Sequence, residues 1–238
     1  MKTTKQLAGL CALALATILS SCASTVSQPP PEPKTHVLKQ GDTFIYHDYA
    51  ADTAGVVIPG SDTTRTALVT RVGFSYEGKT NVTEIVKGAD TVHFADAGDS
   101  AFAMLQNRVD ILSGASLPAI WIGFDPSHAV QTVFDSTMNG VVSGMKARVH
   151  AIIATGYLGK RNTVIGGQSL TVYEFTKAVK VTVNVLGTDY TTTVTATYDY
   201  APSIGYLAAR NINTISDSQN SPFPNGTQYS VLKSYSIH

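Results

Sequence analysis

The sequence predicts an all-β fold: a single antiparallel domain of about nine or ten strands, forming a strongly curved sheet or open barrel, with a β-sandwich as the alternative. Three observations lead there. The 238-residue chain carries 29 Thr together with many Val and Tyr, the side chains that fit a pleated, half-buried surface. Gly, Asn and Asp recur at intervals suited to turns. No window holds a 3.6-residue apolar period for more than two turns.

The elements follow in chain order. Lys2 and Lys5 precede the apolar run Leu7 to Leu19, which is shorter than the roughly 20 residues of a membrane span and has the layout of an export signal over residues 1–21. Leu19-Ser20-Ser21-Cys22 then resembles the lipobox of bacterial lipoproteins: an aliphatic residue, two small residues and a cysteine. The resemblance implies cleavage before Cys22, with the cysteine carrying lipid on its sulfur and on its freed amino group, so that the membrane is a partner through two hydrophobic anchors. Ala23, rather than Asp, at the next position implies sorting to the outer membrane of the bacterial cell envelope. The remainder of residues 22–35, with Pro29, Pro30, Pro31 and Pro33, reads as a stiff tether of about 3.1 Å per residue where polyproline geometry holds.

Residues 36–238 carry the β domain, about two hundred residues with no internal repeat. Strands are expected at Asp42 to Tyr49, Asp90 to Ala95, Ser100 to Val109, Val130 to Asp135, Gly144 to Ile153 and Ser230 to Ile237, with a hairpin whose Leu68, Val72, Phe74 and Tyr76 share one face opposite Arg65 and Arg71 and which turns at Glu77-Gly78-Lys79. The clearest unit spans Ser169 to Tyr200. There Tyr173, Phe175, Val179, Val181, Val183 and Val185 share one parity. Gly187-Thr188-Asp189 turns, and Tyr190, Val194, Ala196, Tyr198 and Tyr200 share one parity on the return. Asp110 to Ser127 is the least regular stretch. It holds Trp121, the only tryptophan, in an apolar run that ends at Phe124 and reads as a crossing strand, a plug or a mouth-covering loop.

Composition narrows the function classes. Lys and Arg number 17 and Asp and Glu 17, without the basic excess of a nucleic-acid binder. Loss of Lys2 and Lys5 with the signal leaves 15 basic against 17 acidic side chains. The two cysteines, Cys11 and Cys22, fall in the signal and at the lipobox, so neither a disulfide framework nor a cysteine metal cluster is expected. The chain has no G-x-S-x-G elbow, S-x-x-K or H-E-x-x-H, and Gly166-Gly167 lacks the rest of a phosphate-cradling motif. His47 and Asp48 point to opposite faces of a strand and form no local dyad. Asp96-Ala97-Gly98-Asp99-Ser100 lacks EF-hand spacing and reads as a polar turn. No catalytic residue, cofactor or metal is assigned.

Two groups remain as candidate ligand-binding residues. Trp121 and Phe124 supply aromatic surface, or serve as core filler. Lys146, Arg148 and His150 form a basic stripe on one face of a strand, suited to an anionic headgroup or to the plain solvent face of an amphipathic strand. Tyr198 to Leu207, with its Ala-Pro-Ser-Ile-Gly turn, resembles the approach to a final strand in lipoprotein-localisation half-barrels, a likeness that implies a curved sheet and binding of acyl chains. The expectation is a non-catalytic envelope lipoprotein that binds an apolar or lipid ligand or another envelope component. The alternatives are an envelope hydrolase whose site gathers dispersed His and Asp (His47, His93 and His128 among them) and a purely structural surface domain.

Overall fold

Alternating polar and apolar residues, punctuated by two-residue turns, build the molecule from strands alone. The computed structural model describes residues 36–98, 100–216 and 225–238, and no helix occurs among them. The expected export signal, the expected lipid site at Cys22 and the expected Pro-rich tether lie outside the described residues. The strands are Thr43–Ala51 (β1), Thr63–Tyr76 (β2), Lys79–Lys87 (β3), Asp90–Asp96 (β4), Phe102–Gln106 (β5), Val109–Leu112 (β6), Ala115–Leu117 (β7), Ile120–Phe124 (β8), Val130–Val142 (β9), Met145–Ile165 (β10), Gln168–Val185 (β11), Thr188–Ala201 (β12), Tyr206–Ser216 (β13) and Gly226–Ser236 (β14).

Twelve of these form one antiparallel sheet in the order β8-β5-β4-β3-β2-β1-β14-β13-β12-β11-β10-β9, and β6 pairs with β7 separately. The main sheet is nearly closed into a barrel, which sets aside the sandwich, and it has twelve strands rather than nine or ten. The additional strands come from two places. The stretch Asp110 to Ser127 supplies β8 to the main sheet, and holds β7 and most of β6 of the separate pair, all too brief to display an alternation. Tyr206 to Ser216 forms β13, between β12 and β14.

Four hairpins turn on two residues that both have positive φ: Glu77-Gly78, Ser143-Gly144, Gly166-Gly167 and Leu186-Gly187. This is the type I′ turn, whose twist matches that of the flanking strands and whose second residue is preferentially glycine. It fixes register at once, pairing Tyr76 with Lys79, Val142 with Met145, Ile165 with Gln168 and Val185 with Thr188. The long hairpins that result run through 21 residues in β10 and 18 in β11. At the tip of the β10–β11 hairpin the Tyr235 hydroxyl donates to Gln168, so the tip reaches β14.

The inner face carries rings from both halves of the sheet. Phe102 lies 4.6 Å from Phe124, 4.9 Å from Tyr200, 5.2 Å from Phe94 and 5.6 Å from Phe175, centroid to centroid. Tyr206 continues the cluster to Phe94 and Phe44. β4, β5 and β8 thus face β11, β12 and β13 through aromatic contact. Geometries of this kind add about 0.5–1.5 kcal/mol per pair beyond area burial.

In β2 the inward parity differs from the expected one. Ala67 and Val69 are fully buried and Leu68 is 39% exposed, so the face with Arg65 points inward at this end. The reason is electrostatic: Asp48 of β1 receives Arg65 at 3.6 Å, so a cation is tolerated on the inner side. Beyond Val69 the pairing with β3 shifts at Arg71, Phe74 and Tyr76, and these irregularities re-aim the side chains that follow.

The sheet's two edges, β8 and β9, are consecutive in the chain, and backbone hydrogen bonds hold one end of β9 to β10 and the other to the β6–β7 turn. Tyr157 N–H donates to the Ala129 carbonyl at 3.2 Å, and Val141 N–H donates to Ser113, in the β6–β7 turn, at 2.9 Å. Gly156 of β10 is required at the first of these, because a Cβ there would stand 2.6 Å from the Ala129 carbonyl oxygen.

Candidate functional site

The strand register draws a row of side chains across the outer face of five neighbouring strands. Arg71 of β2 opposes Glu84 of β3, and Glu84 opposes His93 of β4. Phe94 opposes Met104, which sets Leu105 of β5 beside His93, and Leu105 opposes Trp121 of β8. The row faces outward because the adjoining Ile85, Phe94 and Ile122 are buried, and neighbours in a strand point to opposite faces.

The irregular pairing of β2 adds two more rings to this row. Tyr76 stacks on His93 with centroids 4.1 Å apart and planes at 19°, and Phe74 meets the same imidazole edge-on at 6.2 Å. The Arg71 guanidinium sits 3.8 Å above the Phe74 ring. Glu84 anchors the middle, accepting a hydrogen bond from the Thr70 hydroxyl at 2.8 Å with His93 Nε2 3.6 Å away. Trp121 Nε1 donates to the Glu77 carbonyl at 3.0 Å, which ties β8 to the β2–β3 turn, and Lys79 Nζ lies 5.8 Å from the indole. Arg71 and Tyr76 are exposed, and Phe74 and Trp121 are half-buried. A depression of about 660 Å³ nearby is lined by Val37, Leu38, Val72, Lys79, Thr83 and Phe94 among others.

The other sequence-derived candidates are dispersed. Phe124 is 2% exposed and stacked in the core on Phe102. It shares no face with Trp121, three residues away and therefore of opposite parity. Lys146 and Arg148 are exposed on the outer face of β10, and His150 beside them bonds Asp135 of β9 at 2.8 Å. Asp48 points inward to Lys87, while His47 lies beside Tyr49, 5.4 Å between centroids. His128 Nδ1 approaches both Ser127 Oγ, at 2.9 Å, and Asp125, at 3.5 Å. One nitrogen serves both neighbours, so these three do not form the relay of a catalytic triad, in which the two ring nitrogens are divided between nucleophile and acid. Burial pushes the Asp125 carboxyl up, but hydrogen bonds from the Ser127 backbone and hydroxyl, with His128 beside them, hold it below its ordinary value. Among the described residues no three His, Cys, Asp or Glu side chains gather as a metal site.

Sequence reading found Trp121 but not its companions Arg71, Phe74, Tyr76 and His93, because they come from separate strands whose register no local pattern states. A signal was present at Phe74-Ser75-Tyr76 beside Arg71, an aromatic pair next to a cation at a strand end. Compared with protein-family models, curated proteins and solved structures, the chain matches none of them.

Proposed function

We propose that this protein is a lipid-anchored, non-catalytic component of the bacterial cell envelope, held at the outer membrane through Cys22, and that its β body binds another envelope component on the face around Trp121 and Tyr76. The observation that supports this most is the contrast between the two sides of the sheet. The inner side is filled by rings in mutual contact, while Arg71, Phe74, Tyr76 and Trp121 lie outside on one row. Aromatic and Arg side chains are those that most often carry the energy of a recognition surface. The row is built on paired strands, so a partner meets it with little ordering left to do.

In cells, a photo-crosslinking residue placed at Tyr76 is expected to capture a discrete partner, and one placed at Thr193, on the far outer face in β12, is not. Trp121→Ala combined with Tyr76→Ala is expected to lower binding of that partner by about tenfold or more, equivalent to about 1.4 kcal/mol. Equal capture from both positions would reject this face. Cys22→Ala should move the protein from the membrane to the soluble fraction, and retention of the variant in the membrane would reject the anchor.

A further inference from the structure

Two neighbouring hairpins end side by side. Ala147 of β10 pairs with Gly140 of β9 on one side and with Val185 of β11 on the other. The β9–β10 turn at Ser143-Gly144 and the β11–β12 turn at Leu186-Gly187 therefore stand level, about 10 Å apart across two strand spacings. Met145 pairs with Val142, and Val185 with Thr188, which brings Val142, Met145, Val185 and Leu186 to one rim.

The rim is apolar where the other tight turns are not. In the type I′ hairpins the first turn residue has positive φ, and Glu77, Ser143 and Gly166 hold that place in three of the four. In the fourth it is Leu186, at φ 52° and 83% exposed. A leucine there bears the steric cost of the left-handed region, which Asn, Asp or Gly would ease, and it gains little packing from its own chain. Met145 and Val141 of the adjoining hairpin and Tyr190 of β12 are exposed as well. Cations stand just behind. Ala147 and Val149 are buried, so Lys146 and Arg148, both exposed, point outward. His150 takes the Asp135 carboxylate at 2.8 Å, and among the described residues no carboxylate lies within 4.0 Å of Lys146 or Arg148. Asp189, the carboxylate on this part of the outer face, accepts from Asn184 at 2.6 Å, and Asn184 separates it from Arg148 in the register.

We propose that the paired tips of β9–β10 and β11–β12 dock on an anionic lipid surface. Leu186 and Met145 enter the acyl boundary, Tyr190 lies at headgroup level, and Lys146 and Arg148 meet lipid phosphates. Two-residue turns suit the task, since the strands behind them are paired up to the tip and bring few open peptide groups into the apolar layer. The charge fits this occupant: two outward cations face one carboxylate that is already hydrogen-bonded, and a second copy of the same rim would set like charges together. The contact is separate from the proposed anchor at Cys22 and from the outer row at Trp121, and it needs neither.

The test places one tryptophan reporter in the full chain, on a Trp121→Phe background, and adds vesicles of phosphatidylglycerol and a phosphatidylcholine brominated on its acyl chains. With Leu186→Trp, bromine should quench the fluorescence about twofold or more, as insertion of the tip requires. With Thr193→Trp, about 17 Å down the same hairpin, it should hold within about a tenth. That contrast does not depend on how the rest of the chain is held to the vesicle. Should Leu186→Trp not fold, Met145→Trp is the second reporter. Adding Leu186→Asn should lower its quenching by about half or more, and the turn accepts that change because Asn tolerates positive φ. Lys146→Gln together with Arg148→Gln, or replacement of phosphatidylglycerol by phosphatidylcholine, should lower the quenching of either reporter by about half or more. Equal quenching at positions 186 and 193, or none at both 186 and 145, overturns the proposal, as does quenching indifferent to the two cations and to phosphatidylglycerol. A dimer in sedimentation that Leu186→Asn dissolves, with both tip reporters unquenched, assigns the rim to a second copy and overturns it too.

Discussion

Phe102→Ala should destabilise the protein by about 3–5 kcal/mol, the range for removing a fully buried ring when the surroundings relax only in part. The expectation rests on position. Phe102 is wholly buried and contacts Phe94, Phe124, Phe175 and Tyr200, rings that belong to β4, β8, β11 and β12. Its loss unties the two facing halves of the sheet rather than one local pair. Phe102→Leu fills most of the volume and should cost clearly less, about 1–2 kcal/mol. Urea unfolding followed through the fluorescence of Trp121 measures both, because β8 pairs directly with β5. A loss below about 1 kcal/mol for the alanine variant would contradict a ring-packed interior.

Asp42→Ala should cost about 2–4 kcal/mol, since it removes a buried charged acceptor shared by three donors. Its carboxylate is completely buried and accepts from His36 Nε2 and Lys39 N–H, both at 2.8 Å, and from His238 N–H at 3.0 Å. One side chain thereby joins the entry of β1 to the segment that leaves β14. Burial pushes this carboxyl up. The hydrogen bonds from Lys39, His36 and His238 and the charge of His36 outweigh it, and the folded value falls below the ordinary 3.8. A depressed carboxyl stabilises the fold fully above its unfolded value, and that contribution is lost as pH falls through about 3.8 toward the folded value. Wild-type unfolding free energy should therefore drop on acidification across that window, and Asp42→Asn should show a shallower drop. Parallel pH profiles for the two proteins would contradict the role given to Asp42.

Much of the fold was written in periodicity. In β11 and β12 the inward set Tyr173, Phe175, Tyr198 and Tyr200 is the one that alternation picks out, and these four are buried. Lys177 was legible too: it occupies the same parity as Phe175 and Val179, a cation in an apolar series, and inside the sheet it donates to Gln106 of β5. Three things resisted. The inward parity of β2 depends on Asp48, a partner from another strand, so Arg65 misleads when β2 is read by itself. β6, β7 and β8 are three to five residues long, and a run such as Ile120-Trp121-Ile122 gives no polar contrast to date a face. The outer row from Arg71 to Trp121 is a matter of register across five strands, which is set by turns and bulges rather than by composition.

The place of β14 in the sheet bears on the order in which the fold can be completed. It lies between β1 and β13 and pairs with both, yet it is synthesised after every other described strand. Until it arrives, β1 offers one unpaired ladder and β13 another, and the sheet stands in two halves, β8 to β1 and β13 to β9. Contacts so distant in sequence form late and slowly, and exposed ladders invite pairing with other chains. Two edges therefore wait while the last strand is made, so a holding factor acting on the β1 edge, or rapid arrival of the last strand, becomes a condition for yield.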